Sequence, residues 1–151
     1  MLVESVAVIP LLVLLIVGIV QFGKVTYVNY TLNKMVYAAG RQLAVQQGVN
    51  YCNSDDAKVA AAIAFATNDA SGQPIIANLP AMQVEALCSD GNGGTSTCEP
   101  NVCDSLGISP RPQYLRVTIP GGYPVTIRVP FLNPVDISLS PSALVPTGGA
   151  L

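Results

Sequence analysis

Residues 6–20 read VAVIPLLVLLIVGIV, fifteen positions without a charged or hydrogen-bonding side chain. With the flanks Met1–Ser5 and Gln21–Phe22 the segment has 22 residues, interrupted by Glu4 and Ser5. As a helix it measures about 33 Å, enough to cross a bilayer. A cleavable secretory signal needs a basic leader, a short apolar core and a small-residue cleavage site. No Lys or Arg precedes this run, and QFGKVTYVNY after it offers no A-x-A site. The absence of upstream basic residues also conflicts with the charge bias that orients membrane helices. We therefore expect that Met1 is a processed N-terminus from which a short basic leader has been removed.

Beyond Gly23 the apolar pattern narrows without stopping. Val25, Val28, Leu32, Met35, Val36, Ala39 and Leu43 recur at spacings of three and four, which places them on one helix face. Tyr27, Tyr30, Lys34, Tyr37 and Arg41 follow the same spacing on another face. The periodicity predicts one helix from about Ser5 to Gln47, roughly 65 Å long. Gly48 and Asn50 are its stop signals. Pro10 lacks an N–H and is expected to kink or loosen the helix locally.

The chain divides near residue 48. Residues 1–48 form the long helix, apolar and then amphipathic, and residues 49–151 form a small α+β domain outside the membrane. Glu4, Lys24, Lys34 and Arg41 are the only charges before residue 51, and all four cysteines and every proline except Pro10 come after it. Overall the 151 residues are 50% hydrophobic and 11% charged, which excludes a disordered chain. Seven basic residues against nine acidic ones leave no electrostatic footprint for nucleic acid. Histidine is missing, which removes Ser-His-Asp catalysis and most catalytic zinc sites. No nucleophile–base pair stands out, so no catalytic residue, enzyme activity or cofactor is expected.

In the second part, Ser54-Asp55-Asp56 caps a short helix over Ala57–Asn68, its acidic residues suiting the helix dipole in the first turn. Met82–Leu87 reads as a strand. Tyr114–Ile119 and Pro124–Val129 alternate strongly, and Pro120–Tyr123 is expected to join them as a hairpin. Val135–Leu139 reads as a further strand. Residues 88–112 form a loop rich in Gly, Ser and Pro. An antiparallel sheet packed on the C-terminal part of the long helix follows.

Cys52, Cys88, Cys98 and Cys103 form an even set in this part, and disulfides are expected there. Three pairings satisfy the count. Zinc needs paired C-x2-C spacing, whereas 35, 9 and 4 residues separate these cysteines. Asp90–Gly94 resembles the start of a calcium loop, but Asn101 stands where the bidentate glutamate belongs. No metal is expected.

Glu4 heading an apolar run with Pro10, Phe22-Gly23-Lys24, Tyr27-Val28-Asn29, Asn33 and AAGRQLAV at 38–45 together resemble the TadE/TadG-like pilin family, type IV pilin-like proteins of the tight-adherence system. The resemblance covers about the first 45 residues. Two details depart from the family pattern. The usual Gly-Ala-Arg is here Ala39-Gly40-Arg41, and the acidic residue, usually fifth in the mature chain, is fourth.

The resemblance implies a pilin, a structural subunit of an extracellular filament. A prepilin peptidase trims the leader and the subunit waits in the bacterial inner membrane. The pilus assembly machinery then draws it into a helical homo-oligomer on the cell surface. Val8, Pro10, Leu11, Leu14, Leu15, Gly18 and Phe22 would pack in the filament core. Glu4 would pair with the Met1 amine of the same or a neighbouring subunit and set its register. A minor pilin or pseudopilin that primes or tips such a filament is the alternative, and a membrane-anchored binding domain a more distant one.

Overall fold

The computed structural model describes residues 2–46, 49, 51, 56–89, 95–97, 112–130 and 132–147. The side chains of residues 2–7, 89 and 96 lie outside that description. The first helix, α1, runs over Leu2–Val45 and its 44 residues span about 66 Å. It continues through Pro10 as one helix. Three of its polar side chains bond one turn back along the helix. The Thr26 hydroxyl donates to the Phe22 carbonyl (2.9 Å), Thr31 to Tyr27 (2.8 Å) and the Asn33 amide to Asn29 (2.8 Å). At the C-terminus Gln46 N donates to the Leu43 carbonyl at 3.2 Å, and the Tyr51 hydroxyl reaches the same oxygen at 3.4 Å.

The second helix, α2, covers Ala57–Thr67. Asp56 is its N-cap, and a carboxylate oxygen accepts from Lys58 N at 2.8 Å. The acidic residue therefore precedes the first turn, which itself contains none. Val59, Ala62 and Ala66, spaced by three and four, are buried.

Six strands follow: β1 Gln83–Ser89, β2 Thr95–Thr97, β3 Tyr114–Thr118, β4 Tyr123–Ile127, β5 Val135–Leu139 and β6 Ser142–Pro146. They form two antiparallel sheets, one ordered β2-β1-β3-β6 and one consisting of β4 and β5. The expected hairpin between Tyr114–Ile119 and Pro124–Val129 does not form. Instead β3 pairs with β1 and β6, and β4 pairs with β5.

The turn explains why. Gly122 N donates to the Ile119 carbonyl at 3.1 Å, which puts Pro120 and Gly121 at the two central positions. Proline holds its φ negative and Gly121 has φ +75°, the signature of a type II turn. Its hand splays the flanking strands, whereas two-residue hairpins use the mirror-image turns. Gly122 also lies at φ +72°, so the chain swings away into the second sheet. A side chain there would meet the Ser138 hydroxyl and the Leu139 carbonyl (2.9 Å).

The expected loop over 88–112 is shorter at its start. The first strand continues to Ser89, and β2 returns alongside it with Cys88 opposite Ser96.

The core forms where α1 meets the larger sheet and α2. Leu32, Met35, Val36 and Ala39 pack with Ala66, Met82, Val117 and Ile119. Further along, Leu43 packs with Val59, Ala62, Ala86 and Leu115. The alternating face Leu115 and Val117 of β3, continued by Ile119 just past its end, joins both clusters.

Gly40 allows the close approach of helix and sheet. A Cβ at that position would stand 2.7 Å from Val145 Cγ2 and 3.3 Å from Val117 Cγ2.

Candidate membrane and assembly surface

Among the described residues, only the C-terminal part of α1 is covered by other elements. From Val8 to Val20 every side chain is exposed except Val17, which is half-buried. The large apolar ones expose between 44% (Val13, Leu14) and 67% (Leu11) of their surface. An all-round apolar helix with nothing packed on it must find its apolar surroundings elsewhere. The helix is long and apolar enough to cross a membrane, with a mean hydropathy of 2.4 in its best window and none of that window buried.

Every residue expected to pack in a filament core lies on this bare rod or at its end. Val8, Pro10, Leu11, Leu14, Leu15, Gly18 and Phe22 are all exposed, Phe22 by 74%. Among the described residues no atom would stand within 4 Å of a Cβ at Gly18 or Gly23, so neither glycine serves a close contact there. Glu4 lies on the helical backbone of α1, its side chain outside the described residues, as is Met1.

The bare stretch ends at Gln21. Its side-chain amide donates to the Arg128 carbonyl at 3.0 Å, joining α1 to the end of β4 across 107 residues of sequence. Beside this bond lies a cleft of about 430 Å³ lined by Gln21, Lys24, Val28, Val125, Thr126 and Arg128. Thr126 Oγ1 donates to Asp136 at 2.6 Å on the neighbouring strand. The sequence alone does not reveal this join. The signal available was the polar Gln21 directly after the apolar run, but its partner could not be read from spacing.

The tyrosine face also holds its place. Tyr27, Tyr30 and Tyr37 are exposed by 69%, 67% and 54%. Tyr27, Tyr30, Lys34 and Ala38 form one wall of a groove of about 450 Å³ whose other wall carries Phe65 and Ile75.

Cys88 is disulfide-bonded. Cys52, Cys98 and Cys103 lie outside the described residues, as does Asp90–Gly94. Among the described residues no three His, Cys, Asp or Glu side chains gather into a metal site.

These features define a class, a small α+β head clasping one end of an apolar helix whose other end stands bare. The model of the TadE-like protein family matches residues 1–41, covering the bare rod and most of the clasped stripe. No curated protein and no solved structure matches the chain.

Proposed function

We propose that this chain is a structural subunit of a Tad-type, type IV pilus-like filament, built by packing the N-terminal helices of many copies. It carries no catalysis in this role. The bare apolar rod from Val8 to Val20 is the observation that supports the reading most strongly, in a chain whose first 41 residues match the TadE-like family. A rod apolar on every side suits lipid before assembly and the flanks of neighbouring helices afterwards. Burial at about 25 cal/mol per Å² makes those helices the main source of filament cohesion.

Glu4 is the exception near the start of the rod. A carboxylate near hydrocarbon costs a few kcal/mol unless it finds a partner. In this reading it meets the N-terminal amine of a subunit and fixes the stagger between copies. Disulfides among Cys52, Cys88, Cys98 and Cys103 brace the head once it is outside the cell. A prepilin peptidase and the pilus assembly machinery are the partners this route requires.

The test is electron microscopy and quantification of material sheared from cells carrying Leu14→Asp or Glu4→Ala. Loss of fibres in both variants, with the chain abundant in wild-type fibres, supports the subunit role. Unaltered fibres would sink it. Fibres that need the chain yet contain it only in trace amounts assign it instead to priming or tipping the filament.

A further inference from the structure

The second sheet extends beside α1 toward the bare rod. Tyr123, at the start of β4, packs against the same core cluster as Val28, whereas Arg128, just past its end, accepts the Gln21 side chain. Gln21 precedes Val28 by about 10 Å along the helix axis. The strand therefore runs toward the helix N-terminus. The turn that follows it, closed by Leu132 N donating to the Val129 carbonyl at 3.2 Å, stands at or beyond the level of Gln21. Leu2–Val20 makes a helix of about 28 Å, close to the thickness of a bilayer's hydrocarbon core. When that stretch spans a membrane, the β4–β5 tip reaches the headgroup layer.

The tip has the composition for that place. Leu132 and Val135 are exposed by 69% and 58%. Lys24 and Arg128, both exposed, line the cleft beside it. Among the described residues the acid beside that cleft is Asp136, which accepts from Thr126, so the two cations outnumber it there. Long basic side chains reach readily toward headgroups, and each adds attraction to an anionic surface.

We propose that the β4–β5 tip is a second membrane contact. Leu132 and Val135 enter the interfacial zone, and Lys24 and Arg128 take the phosphates of anionic lipids. The inference rests on the reading of α1 as a membrane span before assembly. It adds that the head is held against the bilayer at a fixed height and must let go of lipid when the subunit is extracted.

The chain contains no tryptophan, so single substitutions report their own surroundings. Leu132→Trp, Leu14→Trp and Leu144→Trp chains, reconstituted whole into phosphatidylglycerol vesicles, are compared with brominated lipids as quenchers. Leu132→Trp should show blue-shifted emission lost mainly to bromines near the headgroup. Leu14→Trp should lose emission to deep bromines, and Leu144→Trp, on the far end of the head, should lose none. Adding Lys24→Gln and Arg128→Gln should cut the Leu132→Trp quenching to the level seen in zwitterionic vesicles.

Quenching at Leu14 without quenching at Leu132 overturns the tip contact and leaves the span standing. No quenching at Leu14 overturns the span itself, and the tip contact with it. Equal Leu132 quenching in both lipids, with or without the cations, overturns the headgroup contact. A blue shift at Leu132 that bromine does not quench marks a protein neighbour and overturns the lipid assignment.

Discussion

The two halves of α1 carry their aliphatic residues at different densities, fifteen of 22 over residues 2–23 and nine of 22 over residues 24–45, and those residues meet opposite fates. Leu32, Met35, Val36, Ala39 and Leu43 are at most 2% exposed, while Leu11, Leu12, Leu14 and Leu15 are at least 44% exposed. The difference lies in the repeat. The distal residues form a stripe that one sheet and one short helix can cover. The proximal residues surround the axis, and no single head can cover a rod from all sides. Hydropathy alone therefore says that α1 is buried in something, and the pattern says where the chain supplies the covering itself.

The largest expected effect separates the halves by stability. Leu32→Ala removes a fully buried side chain and should cost about 2–5 kcal/mol of folding free energy, read by chemical denaturation in detergent. Leu15→Ala in the same assay should change almost nothing. An equal loss at both sites would mean that the rod packs on its own head, and the comparison would fail.

A charge reverses the order. Leu14→Asp should leave the head's denaturation curve unchanged while weakening membrane retention by about 2.5–3.5 kcal/mol, the insertion cost of a central aspartate. Carbonate extraction of membranes reads the loss. Retention at the wild-type level would show that the rod is not the anchor.

Glycines provide a third contrast. Gly40→Ala drives a methyl group into Val145 and should destabilise the fold by about 1–3 kcal/mol. Gly18→Ala, with open space around it, should cost nothing and add up to about 1 kcal/mol of helix propensity. Denaturation midpoints of the two variants should move in opposite directions or, at Gly18, stay put.

Local pattern made much of this architecture legible. The buried stripe, the cap at Asp56, the alternation of Leu115, Val117 and Ile119, and the strand at Val135–Leu139 can all be read from neighbours in sequence. What could not be read is non-local. Nothing in Pro120-Gly121-Gly122 says which strands β3 and β4 will choose, although a type II turn argues against pairing them together. The last strand, β6, begins after Pro141 and ends at Pro146, which obscures it as a strand, and it lies at a sheet edge where proline is tolerated. Gly40 looks like one more small residue in AAGR until Val145 is seen against it. The join of Gln21 to Arg128 has no local signature.

The smallest effect tests whether acid acts on the head alone. Val8–Val20 contains no ionisable side chain, so any response of the protein's own charges in that stretch is excluded. In the head, Asp69 organises the turn after α2. One carboxylate oxygen accepts from the Ser71 hydroxyl (2.6 Å) and from the amides of Ser71 and Gln73 (2.9 Å each). These donors, the Ser71 hydroxyl first and the Gln73 amide next, hold its pKa below the ordinary carboxylate value. A carboxyl whose pKa is lower folded than unfolded stabilises the fold at pH values above its unfolded pKa, about 3.9. That contribution fades as pH falls through the lower, folded value. Asp69 is fully solvated, so the effect is small and weakens with salt. Denaturation midpoints of wild type and Asp69→Asn should therefore differ by a constant amount above about pH 5 and converge below pH 4. A gap that stays constant down to pH 2 would show that the hydrogen bonds to Asp69 do not depend on its charge.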